Sequence, residues 1–125
     1  MKVRADLHIH SCLSPCGSLE MSPRNIVKTA IDRGLQCIGI SDHNSTLQCK
    51  TIKKIANDCG LFLLCGVEVT SSEDVHALAF FENFDILAEF QDYIEEHQPR
   101  IPNKAKKFGD QVIVDACQNR WQQHK

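Results

Sequence analysis

Two histidines near the amino terminus are spaced in a way that suits metal binding. His8 and His10 are separated by one residue in the run DLHIHS. In a β-strand, side chains two residues apart lie on the same face, with α-carbons about 6.6 Å apart. Two imidazoles at this distance can close on one divalent ion, and imidazole nitrogens combined with a carboxylate suit zinc, manganese or iron. Asp6 lies two residues before His8, where its carboxylate could orient a ligand.

Further chemically capable residues lie in later apolar runs. Glu68 interrupts the run LFLLCGVEV, and burying an unpaired carboxylate there would cost several kcal/mol. A carboxylate can bridge two ions about 3.5–4 Å apart, so Glu68 is a natural bridging ligand. His43, His76 and the thiolate of Cys16 could hold further ions. If His43 or His76 does not ligate, its imidazole could act as a catalytic acid.

Strand-like and helix-like runs alternate along the chain in the order β-α-β-α-β-β-α. In the first helix, Ser22 is the predicted cap, Pro23 the first residue, and Gly34 the stop. Ile26, Ala30 and Ile31 are predicted to face the core. The remaining predictions are strands at 3–9, 35–41, 61–69, 75–81 and within 112–117, helices at about 46–58 and 85–97, and a polar tail at 118–125.

The strands are continuously apolar, which is typical of strands that are covered on both faces. They predict an α/β fold, with mainly parallel strands and flanking helices, as a sheet or a barrel segment. Residues at the carboxyl ends of such strands gather on one rim. His8, His10, His43 and Glu68 all fall near that rim. His76 reaches it only if its strand runs antiparallel, through a hairpin at 71–74.

Each motif alone has a simpler interpretation. His8 and His10 could be a hydrogen-bonded core pair, and Asp42 with His43 could form a helix-capping turn. The joint placement of four polar clusters on one rim favours metal binding over these alternatives.

The amino-acid composition limits the classes of function that this chain can have. The 125 residues suffice for one domain, and the net charge of -2 with no basic stripe argues against nucleic acid as a partner. No apolar run approaches the roughly 18 residues that span a bilayer, and no signal peptide is recognisable. The seven cysteines form no CxxC motif, and several lie in apolar runs. They favour a reducing, cytoplasmic setting over a disulfide scaffold.

Four motifs in this order, DLHIHS, ISDHN, GVEVT and VHALAFF, resemble those of the PHP (polymerase and histidinol phosphatase) family. The resemblance covers roughly residues 4–82. It implies part of a distorted (β/α)7 barrel that binds divalent metal ions, in a family that hydrolyses phosphate esters. Related amidohydrolase barrels also begin with HxH, but a metal-bridging lysine usually follows, whereas this chain has Glu68 at the third strand.

By this resemblance, His8 and His10 correspond to the first-metal pair and Glu68 to the bridging carboxylate. His76 corresponds to the second-metal histidine, and His43 to the third-metal histidine.

Two features depart from the family pattern. Where many relatives have an aspartate or histidine ligand after the first motif, this chain has Pro15 and Cys16. Either Cys16 substitutes as a ligand or the third metal is weak or absent. After His76 there is no Asp-x-His motif, which relatives carry in the later half of the barrel.

These departures predict that residues 1–98 form the N-terminal half of a PHP-like domain. Residues 99–125 are expected to form a C-terminal extension that packs on the domain or leaves it. The chain could be a fragment, a degenerate gene product, or a protomer whose barrel another chain completes. Uncovered strand edges predict a homo-oligomer, most simply a two-fold dimer.

The expected function is a metal-dependent phosphoesterase that hydrolyses a small phosphate monoester or a nucleotide by a metal-activated hydroxide. One to three zinc, manganese or iron ions would serve as cofactors. The alternatives are a non-catalytic metal-binding or regulatory module and an α/β domain whose histidines are structural.

Overall fold

A computed structural model describes residues 1–15, 17–98, 112–114 and 120–123. Three helices and six strands are present in these ranges, and they confirm the predicted α/β class. In chain order the elements are β1 (Ala5–Ile9), α1 (Pro23–Asp32), β2 (Cys37–His43), α2 (Cys49–Asp58), β3 (Phe62–Thr70), β4 (His76–Phe81), α3 (Phe84–His97), β5 (Val112–Val114) and β6 (Arg120–Gln123).

The first four strands form one mostly parallel sheet in the order β1-β2-β3-β4. The pairs β1–β2 and β2–β3 are parallel, and β4 returns antiparallel to β3 with His76 opposite Thr70. This is the hairpin that would bring His76 to the rim. A partial barrel with flanking helices, as the sequence predicted, fits this topology. Strands β5 and β6 form a separate antiparallel pair.

Local signals fix the ends of the helices. The Ser22 hydroxyl accepts the main-chain N–H of Asn25 at 3.4 Å, and Gly34 takes a φ of 71° after α1. Such a φ is costly for most residues but not for glycine. These positions confirm the predicted bounds of α1. Among the described helices, none is both long and apolar enough to cross a bilayer.

Helix α2 begins at Cys49, later than the predicted start near Thr46. The reason is a tertiary contact. The N–H and the hydroxyl of Thr46 both donate to Oε1 of Gln91 on α3, at 2.6 and 2.8 Å. This contact holds the segment before Cys49 as a turn against α3.

The core lies between the sheet and the helices. Val27 on α1 is buried, whereas Ile31, predicted to face the core, is 44% exposed. Ile26 and Ala30 are buried as predicted, so the buried stripe contains Val27 in place of Ile31. The buried cluster consists of Ile26, Val27, Ala30, Ile38, Ile40, Cys49, Ile52, Ala56, Leu61, Leu63, Cys65 and Leu87.

The expectation that every strand is covered on both faces is wrong for β1 and β4. Strands β2 and β3 are largely buried, but residues 5–8 and 76–78 are exposed. The helices cover one face at the centre of the sheet. The opposite face, which carries Glu68, Leu78 and Phe80, is called the inner face below. Leu78 is 40% exposed there.

The last described residues correct one prediction and leave another open. The short strand predicted within 112–117 is confirmed as β5, but the predicted polar tail contains β6. Backbone pairing with β5 explains this strand, since ladder hydrogen bonds do not require apolar side chains. The proposed boundary at residue 99 falls at residues outside the described ranges, and it stays a prediction.

Candidate metal centre

Four histidines converge on Glu68 at one end of the sheet. The nearest are His8 and His10, whose Nε2 atoms lie 3.3 and 3.1 Å from Oε2 of Glu68. Nδ1 of His43 lies 3.5 Å from the same oxygen. Nδ1 of His76 lies 3.4 Å from the other oxygen, Oε1. The fold thus brings together five of the six residues that the sequence suggested as metal ligands.

Strand register explains this convergence. His43 is the last residue of β2 and lies directly beside Glu68 of β3 in the parallel ladder. His8 lies near the end of β1, and His10 is the first residue after that strand. His76 is the first residue of β4, so its antiparallel direction places it at the same rim.

The geometry fits divalent metal ions. One group of potential ligands is His8, His10 and Glu68, and the second is His43, Glu68 and His76. Within each group, one atom from each residue lies within 4.8 Å of the others. Glu68 belongs to both groups, as a bridging carboxylate must. Nε2 of His8 lies 3.2 Å from Nε2 of His10, a separation that a shared cation would stabilise.

The pKa shifts within this cluster suit the binding of a cation. Burial opposes ionisation of Glu68, but the His8 hydrogen bond and the neighbouring histidines outweigh it, so the pKa of the carboxyl lies below its usual value. The pKa of His10 is lowered because the ring is desolvated by burial and lies beside His43. Those two rings stack with centroids 4.5 Å apart. An ionised carboxylate and a neutral imidazole are the forms that bind metal.

Behind the histidines lies a buried aspartate, for which the sequence had offered only a helix-capping turn with His43. Asp42 is 1% exposed and accepts three hydrogen bonds. The N–H and hydroxyl of Ser11 donate to it at 2.6 Å each, and the hydroxyl of Ser14 donates at 2.8 Å. Burial raises the pKa of Asp42, and the bonds from Ser11 and Ser14 oppose that change. A carboxylate in an apolar strand needs hydrogen-bond donors. The position of Asp42 was therefore the signal in the sequence that could have predicted a buried hydrogen-bond network.

Two more acidic residues differ from expectation. Asp74, which the sequence did not single out, lies 3.2 Å from Nε2 of His76 and can accept a hydrogen from that ring. Asp6 was expected to orient a ligand imidazole. In the structure its carboxylate accepts the main-chain N–H of His8 at 3.1 Å, and therefore supports the strand backbone.

Cys16 lies outside the described residues, and its role as a ligand stays a prediction. His97 is exposed on α3, where its ring stacks on Tyr93 with centroids 4.1 Å apart. His124 also lies outside the described residues. Neither of these two histidines was assigned a role in the sequence.

Comparison with known proteins agrees with the motifs. The PHP domain family matches residues 6–114. The chain belongs to the PHP domain family. This confirms the resemblance inferred from the four motifs, and the match extends beyond the roughly 4–82 over which they were recognised.

Two relatives of this PHP domain are informative. An uncharacterized protein of Methanocaldococcus jannaschii is 33% identical over 93 residues, covering 67% of this chain and 53% of that protein. The crystal structure of a "putative metal-dependent phosphoesterase" from Bifidobacterium adolescentis is similar with a TM-score of 0.57 and 31% identity. That match covers 74% of this chain and 33% of the solved one. The chain therefore spans about half of one relative and a third of the other.

Proposed function

We propose that this PHP domain acts as a metal-dependent phosphoesterase on a small phosphate monoester or a nucleotide. The observation that carries the proposal is the convergence of four imidazoles on the single carboxylate of Glu68. The Bifidobacterium structure supports the reaction class, since 74% of this chain superimposes on part of it.

In this proposal, His8 and His10 would hold one divalent ion, His43 and His76 would hold a second, and Glu68 would contribute to both sites. Zinc, manganese or iron suits this set of nitrogen and oxygen ligands. A third ion would need Cys16. When bound, the ions supply a hydroxide nucleophile at neutral pH and neutralise charge on the phosphoryl oxygens.

The chain's own groups then have one task. If only one of His43 and His76 holds the second ion, the other would protonate the departing alkoxide. The His76 side chain is 46% exposed, so it can reach a leaving group in the open part of the site. An open cleft of about 510 Å³ borders His8 and is also lined by Arg4 and Arg33. Both arginines lie near the amino ends of β1 and β2, away from the rim that carries Glu68, and Asp6 lines the same cleft, so the cleft is not assigned to the substrate.

The first prediction tests this function. Purified chain is assayed with p-nitrophenyl phosphate and nucleoside monophosphates, with added manganese or zinc. Loss of an outer-shell partner already costs 10–100-fold in activity, so His8→Ala and Glu68→Gln are expected to lower metal-dependent turnover by at least about 100-fold.

Matched controls are His97→Ala and Glu89→Gln, which change exposed residues of α3. They should leave turnover within about twofold, since surface changes have small effects. Equal rates in wild type, His8→Ala and Glu68→Gln would refute the assignment.

A second candidate is a non-catalytic metal-binding or regulatory module. It is favoured by the exposed inner face beside Glu68. Elemental analysis separates the two functions. About one bound ion per chain without turnover on any phosphoester supports the module, whereas metal-dependent turnover supports the enzyme.

We also propose a second copy of this chain as partner and a reducing, cytoplasmic setting. Among the described residues, β1 and β4 form the two edges of the sheet, and such edges pair readily with another chain. None of the five described cysteines forms a disulfide bond, and four of them are buried. Free buried cysteines are usual in reducing compartments.

A further inference from the structure

The ring of His10 has two different environments. Its Nε2 faces Glu68 at 3.1 Å, within the first group of metal ligands. Its Nδ1 points the other way, to the hydroxyl oxygen of Ser14 at 3.4 Å. Which nitrogen carries the hydrogen decides whether Nε2 can ligate, because a metal ligand needs a free lone pair.

The hydroxyl of Ser14 can donate only one hydrogen bond, and that bond goes to Asp42. A serine hydroxyl has one hydrogen and two acceptor positions. The hydrogen goes to Asp42, because a carboxylate oxygen at 2.8 Å is a closer and stronger acceptor than an imidazole nitrogen at 3.4 Å. The main-chain N–H of His43 donates to the same hydroxyl at 3.0 Å and takes one acceptor position.

The remaining acceptor position of Ser14 faces Nδ1 of His10. A hydrogen bond there requires the ring to be the donor, so its hydrogen lies on Nδ1. Nε2 then carries the lone pair. Glu68 does not draw the hydrogen to this nitrogen, because the 3.1 Å approach of its carboxylate is not among the hydrogen bonds of the described residues, and the hydrogen-bond partner of Nε2 is Nε2 of His8 at 3.2 Å. Without Ser14, the ring hydrogen could move to Nε2 and donate to His8, which would block ligation.

We propose that Ser14 is a positioning residue that holds His10 in the tautomer protonated on Nδ1, with Nε2 free to bind the divalent ion. The significance of this tautomer rests on the proposed metal-dependent function. Ser14 and Asp42 are each 1% exposed, which isolates their hydrogen bond from bulk water. By contacting both His10 and the backbone of His43, one hydroxyl links both groups of metal ligands.

Ser11 provides a matched control. Its hydroxyl is also buried and also donates to Asp42, at 2.6 Å to Oδ2. None of the hydrogen bonds described for Ser11 reaches the ring of His10. Ser11→Ala therefore removes a comparable buried bond without removing the contact that the proposal invokes.

The test reads the tautomer directly. Metal-free protein labelled with ¹⁵N-histidine is examined by long-range ¹H–¹⁵N correlation at about pH 8, where a histidine of ordinary pKa is neutral. The His10 signals are identified by their loss in His10→Gln. Wild type should show a protonated Nδ1, and Ser14→Ala should move the hydrogen to Nε2. Ser11→Ala should keep the wild-type pattern.

A wild-type His10 ring protonated on Nε2 would overturn the proposal. The spectrum of the wild type therefore tests the proposal even if Ser14→Ala fails to fold. An unchanged tautomer in Ser14→Ala, or the same change in Ser11→Ala, would overturn it as well.

Calorimetry with manganese or zinc gives a second readout. Ser14→Ala should weaken binding by about 10–100-fold, the usual effect of losing a group that orients a ligand, and Ser11→Ala should weaken it less. If wild type binds no ion, the proposed function fails while the tautomer assignment stands. If it binds ions with His10 protonated on Nε2, the function survives and the role of Ser14 does not.

Discussion

At the scale of single residues, the candidate metal centre depends on buried polar groups that satisfy one another. The imidazoles around Glu68 lower the pKa of its carboxyl despite its burial, and hydrogen bonds from Ser11 and Ser14 stabilise the buried carboxyl of Asp42. An unsatisfied group in either position would cost about 1–3 kcal/mol. The centre and its supporting network therefore form one unit, in which a change at a serine reaches the ligands.

The buried thiols give a prediction at this scale. Cys49 and Cys65 lie together in the core, and the pKa of Cys49 is raised well above its usual value by the Cys65 thiol and by burial. Since the thiolate is the reactive form, Cys49 should stay unmodified by iodoacetamide in the native protein. Cys59 is exposed and should react first. Peptide mass mapping checks this order.

Denatured protein provides the control for that labelling, since all cysteines should then react at similar rates. Native labelling of Cys49 as fast as Cys59 would show that the core around α2 opens readily. It would contradict the packing described here.

Single residues of the site could be predicted to different extents. His8, His10 and Glu68 were recognisable because strand periodicity and the rim of a parallel sheet place them together whatever the details of packing. Ser14 was not recognisable. Its contacts join residues 28 and 29 positions apart, and no local pattern reports such a contact.

At the scale of elements, two glycines shape the inner face of the sheet. A Cβ on Gly66 of β3 would lie 2.5 Å from the ring of Phe80 and 2.5 Å from the carbonyl oxygen of Ala79. On the neighbouring strand β2, a Cβ on Gly39 would lie 2.9 Å from the same ring. Because Gly39 and Gly66 have no side chains, the ring of Phe80 on β4 can pack across both β2 and β3.

Gly66→Ala is accordingly expected to destabilise the fold by about 1–3 kcal/mol, the usual cost of overpacking. The extra methyl would push Phe80 or the β4 backbone away from β3. Urea unfolding followed by circular dichroism measures the change. Because β4 carries His76, metal affinity should fall as well.

Gly60→Asn is the control for this glycine. Gly60 has a φ of 72° with no atom within 4 Å of a built Cβ, and asparagine adopts this conformation more readily than most residues. The left-handed backbone still strains asparagine, so Gly60→Asn should lose at most about 1 kcal/mol and less than Gly66→Ala. Equal stability of Gly66→Ala and wild type would mean that Phe80 does not pack as described.

Among the elements, the predictions that rested on local chemistry were confirmed. Ser22, Pro23 and Gly34 bounded α1 because caps and left-handed glycines act within a few residues. The start of α2 was wrong, since a tertiary contact between Thr46 and Gln91 decides it. Burial of β1 was also wrong, since apolar composition does not report whether a covering element is present.

At the scale of the whole molecule, the described part of the chain fits a partial barrel, with the candidate metal ligands at one end of its sheet. The helices cover the outer face, and the inner face carries both the ligands and exposed apolar side chains. Leu78 lies directly opposite Glu68 in the β3–β4 ladder, and Leu7 on β1 is also 40% exposed. The outer edges of β1 and β4 are unpaired among the described residues.

The last prediction concerns what covers this face. We expect a two-fold dimer in which the inner faces of two copies meet, because one two-fold axis covers both apolar faces and both edges at once. Sedimentation velocity at micromolar concentration should show the dimer. Leu78→Lys should shift it to monomer, because a lysine in the contact would bury an unpaired charge.

Ile86→Lys is the matched control, since Ile86 is an exposed apolar residue on α3 at 52% exposure, away from the inner face. It should leave the dimer intact. Dissociation by Ile86→Lys but not by Leu78→Lys would move the interface to α3, where Phe90 and Tyr93 form an aromatic surface. A monodisperse wild-type monomer would exclude self-association. A different chain would then have to cover the inner face.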